Sequence, residues 1–104
     1  MKILITGAGG QDGVYLIRRI LTSLPSAQIF ALSRNEASFF NRLRLIGGNK
    51  LVEKFKLGSE FICCNVTDTA QITHQLDRIR PHSIFHLAAH LEPLLKPGDE
   101  SKLL

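Results

Sequence analysis

The sequence predicts an α/β domain whose parallel sheet has about four strands, and two patterns along the chain support this class. Four short apolar runs lie at residues 2–6, 28–33, 61–65 and 83–89. Each run is almost continuously apolar and contains no internal proline, as is typical of strands buried on both faces of a parallel sheet. Segments with helical spacing of apolar residues separate the runs. The resulting order, β-α-β-α-β-α-β, predicts a doubly wound sheet with right-handed crossovers.

Three amphipathic helices are predicted between these strands. Their inward-facing residues are Val14, Ile17, Leu21 and Leu24 in the first helix, Phe39, Leu43 and Ile46 in the second, and Ile72, Leu76 and Ile79 in the third. Pro25 ends the first helix, the glycines at 47–48 end the second, and Asp68 or Thr69 caps the third. Residues 49–59 are polar, basic and weakly periodic, which predicts a loop or a short extra helix.

Length and charge restrict the classes of function. At 104 residues the chain suffices for one domain with one core. Thirteen Lys and Arg against nine Asp and Glu give a net charge of +4, but the basic residues are dispersed, and one tyrosine without tryptophan supplies few rings for stacking on bases. These features favour a solvated basic surface over a nucleic-acid interface. No apolar run approaches the roughly 20 residues of a membrane span, so no membrane partner is expected.

The two cysteines, Cys63 and Cys64, are adjacent in the sequence. A disulfide between neighbours is strained, so both thiols are expected to be free, as in a reducing, cytoplasmic compartment. Their place in the third apolar run predicts one core and one near-core position.

A glycine-rich turn follows the first predicted strand. Gly7, Gly10 and Gly13 stand three residues apart, which suits a tight turn, a close approach of backbone N–H groups to phosphates, and close packing of helix on strand. The helix that begins here would direct free N–H groups and its positive end at a pyrophosphate. No Gly-Lys-Ser/Thr follows, which excludes a P-loop. The pattern predicts a Rossmann-type site for a nicotinamide dinucleotide.

The end of the second strand bears on the choice of dinucleotide. An NAD site usually places Asp or Glu there to bind the ribose 2′-hydroxyl. This sequence has Ser33 and Arg34 instead, and a hydroxyl with a guanidinium suits a 2′-phosphate. NADP is therefore the predicted cofactor, and NAD stays open because Glu36 lies close enough to bind a ribose hydroxyl.

The turn at residues 6–13, Thr-Gly-x-x-Gly-Gln-Asp-Gly, resembles the start of the GDP-mannose 4,6-dehydratases in the extended short-chain dehydrogenase/reductase family. Gln11 and Asp12 are its more specific part, and the resemblance implies that they lie near the cofactor phosphates; either could also cap the first helix. In those dehydratases an arginine likewise ends the second strand, where Arg34 stands. The resemblance covers about residues 1–90, the predicted cofactor-binding segment, and residues 91–104 are predicted to form an irregular tail.

The ends of the third and fourth strands also resemble this family. Asn65 and Val66 match the segment that holds the adenine, although Asn65 replaces an acidic residue. The run of Leu87, Ala88 and Ala89 after His86 matches a segment whose small residues admit the nicotinamide-side ribose and phosphates. His86 and His90 stand four apart, but no Glu or Cys completes a metal-binding set, so a packed or cofactor-facing histidine is favoured over a metal ligand.

The resemblance implies a reaction that this chain does not complete. Family members act through a Ser/Thr and a Tyr-x-x-x-Lys motif further along, whereas the one tyrosine here, Tyr15, is followed four residues later by Arg19. No catalytic residue is assigned. The chain is interpreted as the cofactor half of an NADP-dependent nucleotide-sugar dehydratase, whose longer form would bind the sugar nucleotide and could form homo-oligomers. An epimerase or reductase fragment and a non-catalytic dinucleotide-binding module are the alternatives.

Overall fold

A computed structural model describes residues 1–87, in which four strands and three helices alternate. They are β1 (Lys2–Thr6), α1 (Gln11–Ser23), β2 (Gln28–Ser33), α2 (Glu36–Gly58), β3 (Glu60–Cys63), α3 (Thr69–Ile79) and β4 (Ser83–His86). All strand pairs are parallel, in the order β3-β2-β1-β4. The predicted α/β class with a four-stranded parallel sheet is confirmed. The predicted tail at residues 91–104 lies outside the described residues.

Helices cover both faces of the sheet because alternate strand residues point to opposite sides. On one face, Ile3, Ile5, Ile29 and Ala31 are buried in one cluster with residues of α1 and α2. On the other face, Leu4, Phe30, Leu32 and Ile62 are buried with Ile79 of α3. Each face of the sheet is thus buried by its own set of helices, as expected for the doubly wound sheet that the continuously apolar strands predict.

Helix α1 buries the predicted stripe except at its end. Val14, Ile17 and Leu21 are buried, together with Ile20. Leu24, which was expected to point inward, is 49% exposed. The helix ends at Ser23, and Leu24 is its C-cap with φ −131° and ψ 74°, so its side chain leaves the helical stripe.

Helix α2 contains a kink at Gly48, whose φ of 68° and ψ of −172° interrupt the helix. The predicted stop at the two glycines is therefore found as a kink, and the short extra helix is the correct alternative for residues 49–59. Its period is weak because only Leu51, Val52 and Phe55 are buried, while the lysines around them are exposed. Phe39 of the first half is fully buried and lies with its ring centroid 5.2 Å from that of Phe55.

Helix α3 is capped by Asp68, whose side chain accepts a hydrogen bond from the Gln71 N–H at 3.1 Å. Of its predicted inward residues, Ile79 is buried, whereas Ile72 and Leu76 are only partly buried against the second cluster.

The two outer strands differ from expectation. β3 spans Glu60–Cys63, which leaves Cys64 buried but Cys63 exposed, so the prediction that both cysteines lie in or near the core is wrong for Cys63. β4 is described only from Ser83 to His86, and it pairs with β1 alone. Ile84 is 54% and Phe85 39% exposed, so the expected burial on both faces is wrong for this strand, which is at the edge of the described sheet. Among residues 1–87, no helix is long and apolar enough to cross a membrane.

Candidate functional site

The residues that follow the four strands collect at the carboxyl edge of the sheet. The chain runs from β1 outward to β2 and β3 and then returns to place β4 on the other side of β1. The order of the strands therefore reverses between β1 and β4, and in such sheets the carboxyl ends beside this point form a ligand-binding crevice.

The glycine turn joins β1 to α1 and is tied to β2. Gly7 has a φ of 68°, which glycine adopts without steric penalty. The Gly10 N–H donates to the Gly7 oxygen at 3.2 Å, and the Ala8 N–H donates to the Leu32 oxygen at 3.1 Å. The turn is therefore tight and held against the end of β2.

The spaced glycines have different steric roles. A Cβ on Gly13 would lie 2.5 Å from the Ala8 oxygen and 2.7 Å from its Cα, so the helix can pack against the turn only with glycine there. At Gly10 the nearest atom would be the Gly7 oxygen at 3.5 Å, an ordinary contact. Sequence reasoning missed Gly9, whose Cβ would lie 2.5 Å from the Ser33 Oγ, because glycine spacing does not show which residue of another strand approaches the turn.

The first turn of α1 leaves backbone donors open. Gly10 is the N-cap residue and no side chain caps this helix, so the predicted capping by Gln11 or Asp12 is wrong; both side chains are exposed. Within residues 1–87, the N–H groups of Gln11, Asp12 and Gly13 meet no hydrogen-bond acceptor. These groups, with the positive end of the helix, can hold an anion.

The end of β2 brings Arg34 to the same edge. Its side chain is exposed and makes no ion pair or hydrogen bond with the described residues. The next residue, Asn35, is the N-cap of α2 and accepts from the Ser38 N–H at 3.0 Å. Ser33, half-buried, lies between the glycine turn and Arg34. Glu36 is exposed in the first turn of α2.

After β3, Asn65 organises a tight turn. Its side-chain oxygen accepts from both the N–H and the hydroxyl of Thr67, at 3.0 and 2.8 Å, and its own N–H donates to the Gln71 Oε1 at 3.2 Å. The side-chain oxygen of Asn65, the atom that could accept a hydrogen bond from adenine, therefore already accepts from two donors. Val66 is half-buried beside it.

The adjacent thiol of Cys64 is buried. Burial, followed by the charge of Asp68 and the neighbouring Cys63, raises the pKa of the Cys64 thiol above its ordinary value. Because thiolate rather than thiol is the nucleophile, burial and the raised pKa both disfavour reaction at this residue.

The end of β4 is bonded to the end of β1. The Thr6 Oγ1 lies 2.6 Å from the His86 Nδ1, and the Leu87 N–H donates to the Thr6 oxygen at 2.9 Å. Leu87 is half-buried against the α1 and α2 cluster. Ala88, Ala89 and His90 lie outside the described residues. Among residues 1–87, no three His, Cys, Asp or Glu side chains form a group that could hold a metal ion.

A solved structure shares the fold of this chain. No curated protein matches this chain. A solved structure of dTDP-glucose 4,6-dehydratase from Bacillus anthracis strain Ames, in complex with NAD, matches with a TM-score of 0.66 and 20% identity. The match covers 89% of this chain and 28% of that one, so the chain spans little more than a quarter of that enzyme's length. At this identity the match shows the fold alone.

The family is established by the sequence of the chain. The model of the family described as GDP-mannose 4,6 dehydratase matches residues 4–92, which include the glycine turn, Arg34 and the four described strands except the first two residues of β1. This chain belongs to the GDP-mannose 4,6 dehydratase family.

Proposed function

We propose that this chain is the NADP-binding N-terminal segment of a nucleotide-sugar 4,6-dehydratase. The proposal rests on one observation: the N–H groups of the first turn of α1 and the Arg34 side chain, which bond to none of residues 1–87, share the carboxyl edge of one sheet. A dinucleotide offers two matching groups, a pyrophosphate for the helix start and a 2′-phosphate for the arginine.

The glycine turn would hold the pyrophosphate. Gly7 turns the backbone, Gly10 starts the helix without a side chain, and the N–H groups of Gln11, Asp12 and Gly13 point to the anion. Backbone donors are fixed before the ligand arrives, so they lose little conformational entropy on binding.

Arg34 supports NADP over NAD. A guanidinium can bind a phosphate through two N–H groups with a full charge, whereas a ribose 2′-hydroxyl is usually bound by a carboxylate at this position. Glu36 is the nearest carboxylate along the chain, but it belongs to the first turn of α2, beyond the Asn35 cap.

The remaining site residues are assigned to the two ends of the cofactor. Asn65 and Val66 would lie at the adenine. The side-chain oxygen of Asn65 accepts from Thr67, and its amide nitrogen, which bonds to none of residues 1–87, would face the base. Leu87, Ala88 and Ala89 would border the nicotinamide-side ribose.

The dehydratase chemistry needs further residues. Bound NADP would accept a hydride from the sugar ring and later return it. The described residues bind and orient the cofactor, and the sugar and the Tyr-x-x-x-Lys motif would be supplied by the rest of a longer enzyme. We place this enzyme in the cytoplasm, where the two free cysteines would stay reduced. We also expect its longer form to assemble into homo-oligomers.

Titration of the chain with NADPH and NADH, followed by nicotinamide fluorescence, tests this function. Arg34→Ala should weaken NADPH binding about tenfold or more, the effect of one lost charged hydrogen bond, and leave NADH binding nearly unchanged. Arg19→Ala, at an exposed position on α1, is the control and should change neither. Equal binding of both nucleotides, unaffected by Arg34→Ala, would show that the choice of NADP is wrong. No binding of either would overturn the dinucleotide site.

A further inference from the structure

We propose that Asn65 presents a hydrogen-bond donor to the purine base of the dinucleotide, so that the site binds a 6-oxopurine form of the cofactor more tightly than the adenine form. This inference rests on the proposed function, which places Asn65 at the base. An acidic residue at the same position would have the opposite polarity, because a carboxylate accepts a hydrogen bond from the amino group of adenine.

The orientation of the Asn65 side chain is the first argument. Its Oδ1 accepts from the N–H of Thr67 at 3.0 Å and from the hydroxyl of the same residue at 2.8 Å. A backbone N–H can only donate, so the atom that meets it is the side-chain oxygen and not the amide nitrogen. Rotating the amide by half a turn would oppose donors to donors and lose both bonds. The other branch of the amide, Nδ2, therefore carries the donors that remain for a ligand.

The second argument is that the turn around this side chain is fixed. The Asn65 N–H donates to the Gln71 Oε1 at 3.2 Å, and the Asp68 N–H donates to the Asn65 oxygen at 2.9 Å. Asp68 in turn caps α3 by accepting from the Gln71 N–H at 3.1 Å. The amide of Asn65 is thus held in one orientation before a ligand arrives, so it loses little conformational entropy on binding.

The third argument is that these donors are available beside Arg34. Asn65 is exposed, and within residues 1–87 its Nδ2 atom has no hydrogen-bond partner. The Cys64 N–H donates to the Ser33 oxygen at 3.0 Å. Asn65 and Arg34 therefore each follow one member of this bonded pair. The base and the 2′-phosphate belong to one nucleoside, so neighbouring residues are needed to bind them.

The substituent on carbon 6 of the purine distinguishes two forms of the cofactor. Adenine carries an amino group there, which donates, whereas hypoxanthine carries a carbonyl oxygen, which accepts. The Nδ2 group of Asn65 opposes the amino group with a second donor and complements the carbonyl oxygen. One neutral hydrogen bond in place of two opposed donors gives an expected preference of about three- to tenfold for the hypoxanthine form.

Titration of the full chain with NADPH and with its reduced hypoxanthine analogue, both followed by nicotinamide fluorescence, tests this inference. The two ligands share the nicotinamide, the pyrophosphate and the 2′-phosphate, so the ratio of their dissociation constants reports on the base alone. The unmodified chain should bind the hypoxanthine analogue about three- to tenfold more tightly. Asn65→Asp keeps an oxygen for Thr67 and places a second oxygen where the amide donor was, so it should reverse the preference in favour of NADPH.

Two variants control for other effects. Asn41→Asp makes the same change of charge at an exposed position on α2 and should leave the ratio unchanged. Arg34→Ala should weaken both ligands alike, because both carry the 2′-phosphate, and should also leave the ratio unchanged. A loss of stability in Asn65→Asp would lower both affinities together, so the ratio remains informative in that case.

The outcomes separate this inference from the function on which it rests. A preference of the unmodified chain for the hypoxanthine analogue, reversed in Asn65→Asp, supports the assignment. Equal binding of the two ligands, tighter binding of NADPH, or a ratio that Asn65→Asp does not change overturns it and leaves the proposed function intact. If the unmodified chain binds neither ligand, the proposed function fails and the role of Asn65 fails with it.

Discussion

A Cβ atom on Gly9 would lie 2.5 Å from the Oγ of Ser33, so the turn after β1 and the end of β2 meet through a glycine and a serine. This contact brings the phosphate-binding turn beside Arg34, the residue after Ser33. A Cβ on Gly13 would come equally close to the backbone of Ala8, at 2.5 Å from its oxygen. Gly9 therefore meets a side-chain hydroxyl that can move, whereas Gly13 meets backbone atoms that cannot move independently.

Gly13→Ala should destabilise the chain more than Gly9→Ala. The new methyl group at position 13 would meet backbone atoms at 2.5 to 2.8 Å, which cannot move without displacing the turn, and we expect a loss of about 3 kcal/mol. At position 9 the clash is with a hydroxyl that can rotate, so about 1 kcal/mol is expected. Urea unfolding followed by circular dichroism measures both changes.

Ser33→Ala provides the control for the Gly9→Ala substitution. It removes the Oγ and leaves the residue 33 Cβ at 3.4 Å, so the double variant Gly9→Ala/Ser33→Ala should regain most of the stability lost by Gly9→Ala. Strictly additive effects of the two substitutions would contradict a direct contact.

The kink of α2 predicts opposite effects at two glycines. Gly48 has a φ of 68° and open space around its Cβ position, so Gly48→Ala introduces backbone strain without a clash and should cost about 1 kcal/mol. Gly58, at the last position of the helix, also has open space but no positive φ, and Gly58→Ala should be neutral or stabilise by up to about 1 kcal/mol. The thermal midpoints of the Gly48→Ala and Gly58→Ala variants, measured in the same buffer, test this difference. A higher thermal midpoint in Gly48→Ala would rule out the kink at Gly48.

The aromatic cluster between α2 and β3 predicts a large effect at Phe39. Its ring is fully buried and lies within about 5 Å, centroid to centroid, of Phe40, Phe55 and Phe61. Phe39→Ala should cost about 4 kcal/mol and unfold much of the chain. Phe40→Ala, at a half-buried ring partly covered by Lys56, should cost clearly less; equal losses would contradict the packing.

The adjacent cysteines should differ in reactivity. Cys63 is exposed and Cys64 buried, so iodoacetamide at neutral pH should label Cys63 in the folded chain and Cys64 only after unfolding, as mass spectrometry of digests would show. In Cys63→Ser no label should enter the native protein. Native labelling of that variant at the rate of a free thiol would contradict the burial of Cys64.

The raised pKa of Cys64 also predicts a pH dependence. Its folded-state pKa lies above the unfolded value near 9.0, so its contribution to stability is complete below about pH 9 and is lost as the pH rises through the folded-state pKa. Urea unfolding at pH 8 and pH 10 should show a larger decrease for the parent chain than for Cys64→Ala. An equal decrease in both would exclude this residue as the cause.

Much of this fold follows from local patterns. The apolar runs predict β1 and β2 with their observed bounds. Helical spacing predicts the burial of Val14, Ile17 and Leu21 in α1, because apolar residues form one continuous stripe along this helix. Prediction failed where a neighbour decides burial. Ile84 and Phe85 have the same apolar character as the central strands, yet they are exposed because, within residues 1–87, β4 is an edge strand that pairs with β1 alone. Residues 49–59 were ambiguous because the segment buries only three side chains.

The sequence by itself determined the type and order of the elements and the spacing of Gly7, Gly10 and Gly13, since these depend on local backbone preferences and periodicity. Only the tertiary structure decided that Gly9 meets Ser33 and that Thr6 bonds His86, eighty residues further along the chain. Parallel pairing brings strand ends that are distant in sequence to one edge of the sheet, and contacts made there have no local signal. The glycine turn was visible in the sequence, but the residues that surround it were determined by the order of the strands.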